Sequence, residues 1–160
     1  MAFEPVPENF EILKRNVALN QVSNTELHNL AVSNKDGLRR FKVAEASDSS
    51  GFYEHPLAKT CKEIEVRTIC LDNFLKETPK VPIIIKIDTE GHEPYVLQGM
   101  KKLLKDCEDV RLIIEFNPKC LRNAGYDPAK LLEEVFQFGF ELYVIDDNKR
   151  MTYKLEEDNL

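Results

Sequence analysis

No C-x-x-C pair occurs among the four cysteines (Cys61, Cys70, Cys107 and Cys120), and none stands in a paired Cys/His spacing, so a zinc site is not expected and no residue is assigned to a metal. No stretch at the N-terminus has the basic and apolar regions of a signal peptide, and no apolar run approaches the length of a membrane span. The cysteines therefore read as reduced thiols in a cytoplasmic protein, with Cys70, inside an apolar segment, as plain core. Clustered positive charge is also missing. A net charge of −6 argues against a general nucleic-acid or membrane surface. The local basic run Lys101, Lys102 and Lys105 falls late in an expected helix, where it complements the helix dipole. Internal repeats, low-complexity linkers and a domain boundary are absent too.

What is present is ordinary globular material. With 160 residues, 42% hydrophobic and 31% charged, the chain suits one soluble domain over 1–160 with a real core. The order of elements is legible from period and punctuation. A scrap of strand at Ala2–Glu4 is followed by two prolines. A helix is expected from about Glu8 to Asn20, with Phe10, Leu13 and Val17 at helical spacing. "TELHNLAVS" (25–33) alternates as a strand, and "NKDG" (34–37) suits a hairpin turn into "LRRFKVA". Residues 45–59, "EASDSSGFYEHPLAK", carry no period and form the longest loop, a length often tied to function.

"EIEVRTI" (63–69) then alternates as a strand, and "LDNFLKE" is a short helix. "VPIIIKID" (81–88) and "VRLIIEFNP" (110–118) are apolar enough for strands buried on both faces. Between them a helix starts near Pro94, burying Val96, Leu97, Met100, Leu103 and Leu104. "DPAKLLEEVFQFG" (127–139) is an amphipathic helix stopped by Gly139; "FELYVID" is a strand and "RMTYKL" a candidate last one. Helices alternating with buried strands predict an α/β fold with a mostly parallel sheet.

In such sheets ligands sit beyond the carboxyl ends of the strands. That position is where "IIIKIDTEGHEP" (83–94) concentrates Asp88, Glu90, His92 and Glu93. Glu4 and Glu115 end other strands and are placed to face the same crevice. The bland alternative for Asp88–Glu93 is one acid capping a helix, with Glu93 the best candidate, and the others solvated.

"AFEPVPENFEILKRNVALN", "NLAVSNKDG", "EVRTICLDNFL", "IIKIDTEGHEPYVLQGM" and "LIIEFNP" come in an order that resembles the FkbM family of S-adenosylmethionine-dependent methyltransferases, from Ala2 to about Ile145. The resemblance implies a Rossmann-like methyltransferase fold, a mostly parallel sheet with helices on both faces, and O-methylation of a sugar or small metabolite. It makes Glu4 the acid that grips the ribose hydroxyls of S-adenosylmethionine, since a carboxylate accepts two hydrogen bonds from a vicinal diol. It places Asp88 near the transferred methyl group, matches Glu90 and Glu93 to the rest of the motif, and makes Gly91 a turn closed to other residues. His92 is a candidate base for the acceptor hydroxyl, because imidazole titrates near neutrality; the competing reading is a hydrogen-bond partner of the carboxylates. His28 and His55 are weaker candidates, His55 meeting an acceptor if the long loop is a lid.

The family's opening strand and glycine-rich loop (roughly D-x-G-A-N-x-G) would precede Met1. The six glycines here stand at 37, 51, 91, 99, 125 and 139. The expected fold therefore lacks the first strand and helix. It leaves a sheet edge uncovered, which either pairs with a second copy of the chain or is filled by a rearranged first strand, and it weakens cofactor binding. Two further readings stay open: a methyltransferase-fold domain without catalysis that acts in assembly, and a metal-dependent phosphoryl or glycosyl enzyme using the clustered carboxylates.

Overall fold

The computed structural model describes residues 1–146 and 149–156. After β1 (Ala2–Phe3), Pro7 occupies the first turn of α1 (Pro7–Leu19), where its fixed φ suits helix entry. The segment expected as one strand over 25–33 is two, β2 (Leu27–His28) and β3 (Ala31–Val32). The split has a cause. β2 pairs in parallel with β1, whereas β3 pairs in parallel with the end of β5 (Thr60–Ile69), so the chain changes partner at 29–30.

The expected hairpin into "LRRFKVA" is not formed. β4 (Gly37–Ala44) pairs antiparallel with β5, and β5 lies between β3 and β4. Asp36 in the turn serves β5's exit instead: its Oδ1 accepts from the Cys70 amide at 2.7 Å and its Oδ2 from Asn73 Nδ2 at 2.8 Å.

After α2 (Leu71–Phe74) come β6 (Ile83–Ile87) and β7 (Val110–Ile114), paired in parallel and in register Ile83 to Val110. The helix between them is broken. α3 (Glu93–Gln98) stops at Gly99, and α4 (Lys101–Asp106) restarts with its Lys102 and Leu103 amides capped by the Asp72 carboxylate, both at 2.9 Å. Gly99 is required: a Cβ there would stand 2.0 Å from the Ser33 carbonyl oxygen. α5 (Pro118–Asn123) and α6 (Pro128–Gln137) follow, capped by Asn117 and Asp127. The hairpin β8 (Leu142–Asp146) and β9 (Met151–Leu155) closes the described chain.

The architecture is mixed α/β with small sheets and six helices among the described residues. It corrects the expectation of one mostly parallel sheet covered on both faces: the described residues form four separate sheets with five ladders, of which β1–β2, β3–β5 and β6–β7 are parallel. The assignment of doubly buried strands is corrected as well. Ile87 is buried, but Ile84 is 70% exposed and Ile113 46%. Among the described residues β6 pairs only with β7, so its other edge has no ladder partner and faces a cleft.

The main core lies on the covered side, where Leu97, Met100, Leu121 and Leu131 are fully enclosed around Ile87. A second, smaller core joins Val6, Ala31, Phe41 and Val66. No helix among the described residues is long and apolar enough to cross a membrane.

Candidate active site

A cleft of about 850 Å³ opens between β1 and β6. That volume is in the range of small-molecule and cofactor sites. Its walls are largely apolar, from Phe3, Val32, Leu71 and the isoleucines of β6; Glu4, Asp88 and Glu90 also line it, Asp88 and Glu90 together forming a polar end.

Glu4 directly follows β1. Its Oε1 accepts from the Val6 amide at 2.7 Å, while its own backbone is held by His28 and Asn29. Burial pushes its carboxyl up, against the hydrogen bonds from Val6 and Asn9. Asp88 directly follows β6 and is paired with Lys86. Glu115 directly follows β7, its amide bonded to the Ile87 carbonyl at 2.9 Å. Carboxylate oxygens of Asp88, Glu90 and Glu115 come within 4.8 Å of one another. Glu115 is pushed up to about 7, first by burial and then by the charges of Glu90 and Asp88. Its Oε2 is buried with no hydrogen-bond partner.

The turn after β6 is built to aim these groups. Glu90 has φ 52° and Gly91 φ 93°, two left-handed residues in succession. Gly91 lies against α5: a Cβ there would stand 2.6 Å from the Cys120 carbonyl oxygen. Glu93 is 1% exposed, and its Oε1 accepts from the Thr89 amide and hydroxyl at 2.9 Å each and from the Gly91 amide at 3.3 Å. Glu93 thus clamps the turn.

His92 is wholly buried. Its ring stacks on Tyr95 at 4.8 Å, lies 4.2 Å from Phe52, and sets Nε2 3.0 Å from the Ser33 hydroxyl. Burial, with the nearby Arg39 charge, lowers it to about 3, so the ring is neutral at neutral pH.

Two more residues join the cluster: His55, a weaker candidate from the sequence, and Cys120, which the sequence marks only as a reduced thiol. His55, from the long loop, puts Nε2 3.4 Å from Glu90 Oε2, and Cys120 puts Sγ 3.3 Å from the same oxygen. Burial, then the hydrogen bond to Glu90, pushes the Cys120 thiol up to about 12. The loop over 45–59 is folded onto the site: Gly51 bridges back to Lys42, and a Cβ on Gly51 would meet Glu90 Cβ at 3.5 Å. Of the histidines, His28 remains apart, stacked on Phe3 at 5.0 Å. Cys120 had one usable signal: Asn117-Pro118 is a capped helix start, and it fixes where Cys120 points.

Acids at the carboxyl ends of parallel strands, lining a largely apolar cleft, mark the candidate ligand site of an α/β domain. The methyltransferase FkbM domain family matches residues 1–142, and the chain belongs to that family. It is 29% identical over 153 residues to Methyltransferase 1 of Beauveria bassiana (strain ARSEF 2860), covering 84% of this chain and 60% of that protein. It is 32% identical over 145 residues to the hexuronic acid methyltransferase AglP of Haloferax volcanii, covering 83% of this chain and 52% of that one. The alignments thus span between 52% and 60% of the length of these relatives. No solved structure matches the chain.

Proposed function

We propose that this chain is an S-adenosylmethionine-dependent O-methyltransferase acting on a hydroxyl of a sugar, with a hexuronic acid as the first acceptor to try. The observation that carries the reading is the convergence of Glu4, Asp88 and Glu90 on one apolar-walled cleft in a chain of this family. The kinship with a hexuronic acid methyltransferase supports the acceptor class. In this reading the parallel pairs β1–β2 and β6–β7 are parts of one Rossmann-like arrangement, with β1 and β6 facing each other across the cofactor cleft.

The residues present fit the cofactor's polar parts. When bound, S-adenosylmethionine supplies an electrophilic methyl group on a positively charged sulfur. Glu4 would accept from the ribose hydroxyls with the lone pairs that its bonds from Val6 and Asn9 leave open. Asp88 and Glu90 complement positive charge at the cleft's polar end. The acceptor hydroxyl loses its proton to a carboxylate of the Asp88–Glu115 group as its oxygen gains the methyl. His92, enclosed between rings and bonded to Ser33, positions the turn rather than carrying that proton.

Incubation with S-adenosylmethionine and glucuronic acid, followed by mass spectrometry, tests the reading. A methyl ester would place the transfer on the carboxylate, and a methyl ether on a hydroxyl. The ether is expected, with loss of at least tenfold in rate for Asp88→Asn. Absence of any methylated product across neutral and acidic sugars would overturn it.

A further inference from the structure

The trio His55, Glu90 and Cys120 is used only in part by the methyl-transfer reading, and its geometry points to a second ligand. We propose that His55 Nε2, a Glu90 carboxylate oxygen and Cys120 Sγ bind one zinc-like divalent transition-metal ion, with a fourth place left to a solvent oxygen. The three ligand atoms lie within 4.8 Å of one another, and two of the separations are 3.4 Å and 3.3 Å. Bonds of about 2.0–2.3 Å in a tetrahedron put neighbouring ligand atoms about 3.3–3.8 Å apart. Two of the three edges therefore already match a tetrahedron, and the third, between His55 and Cys120, is within 4.8 Å.

The donor set selects the metal. One nitrogen, one sulfur and one oxygen suit a borderline ion such as zinc, whereas magnesium and calcium prefer all-oxygen sites. Charge balances too. A divalent ion meets the Glu90 carboxylate and a Cys120 thiolate and leaves no net charge at a mostly buried place. Protons balance as follows: Cys120 gives one up, while neutral His55 moves its ring proton from Nε2 to Nδ1. That move ends the 3.3 Å acceptance by Nδ1 from the exposed Leu57 amide, which water replaces.

The consequence would be mechanical. The ion would pin the loop over 45–59 to α5 and to the turn after β6, where Asn123 already holds the Glu54 carbonyl. The long loop would then be a metal-fixed cover on the cleft.

The test is titration of the tag-free chain with zinc and cobalt(II). One zinc per chain is expected, with a raised thermal midpoint. Cobalt should show a sulfur-to-metal charge-transfer band in the near ultraviolet. The band should vanish in Cys120→Ser and persist in Cys61→Ser, which alters an exposed thiol. His55→Ala should weaken zinc binding at least tenfold, and it decides the matter if Cys120→Ser does not fold. Zinc affinity unchanged in His55→Ala, or no ion retained, would overturn the proposal. Stabilisation by magnesium but not by zinc would also overturn it, by placing the ion on Asp88, Glu90 and Glu115.

Discussion

Gly91 and Cys120 hold the candidate site together: a Cβ on Gly91 would stand 2.6 Å from the Cys120 carbonyl oxygen, with the glycine at φ 93°. Neither the space nor the backbone admits a side chain. Gly91→Ala should therefore cost about 2–4 kcal/mol, because α5 must move or the turn must open. Urea unfolding measures it, and a change under 1 kcal/mol would show that the contact is slack.

His92 is the next prediction. Its ring is enclosed by Phe52 and Tyr95 and bonded to Ser33. His92→Ala should leave a cavity and an orphaned Ser33 hydroxyl, costing about 2–4 kcal/mol. A catalytic role would instead give a stable variant with lost turnover. Denaturation and activity measured on one sample separate the two.

The carboxyl of Glu4 carries a pH signature. Burial raises it above the unfolded value, so the folded chain holds more protons than the unfolded one between the two pKa values. Its contribution favours folding below the unfolded pKa and is lost as pH rises through the folded one. Glu4→Gln, which keeps an acceptor for the Val6 amide, should raise the thermal midpoint at pH 7 and leave it unchanged near pH 4. Equal shifts at both values would count against a buried charge.

Asp127 accepts from the Ala129 amide at 3.1 Å and starts α6. Asp127→Ala should cost about 1 kcal/mol, the usual loss of an N-cap. Chemical denaturation reads it directly.

Much of this was legible beforehand, for physical reasons. α6 announces itself by Asp127, Pro128, the Leu131–Val135 stripe and Gly139. Asp88–Glu93 is placed by its position after an apolar strand. Burial was not legible: an apolar run reads alike whether its second face is covered or lines a cleft, as Ile84 shows. Ladder partners were not legible either, since alternation in 25–33 does not say which strand it joins. α5 is too short for a helical period, although its Asn-Pro start was visible. The approach of His55 and Cys120 to Glu90 depends on a loop and a helix far apart in the chain, which no local spacing encodes.

The most direct test of the cleft as a cofactor site is an amide ¹H–¹⁵N correlation spectrum of the chain titrated with S-adenosylhomocysteine, which reports weak as well as tight binding. The expected result is saturable shifts at Glu4, Val6, Asn9 and Asp88 through Glu93, all abolished by Asp88→Asn paired with Glu4→Gln. Saturable shifts elsewhere, or none at any attainable concentration, would contradict the assignment of the β1–β6 cleft to the cofactor.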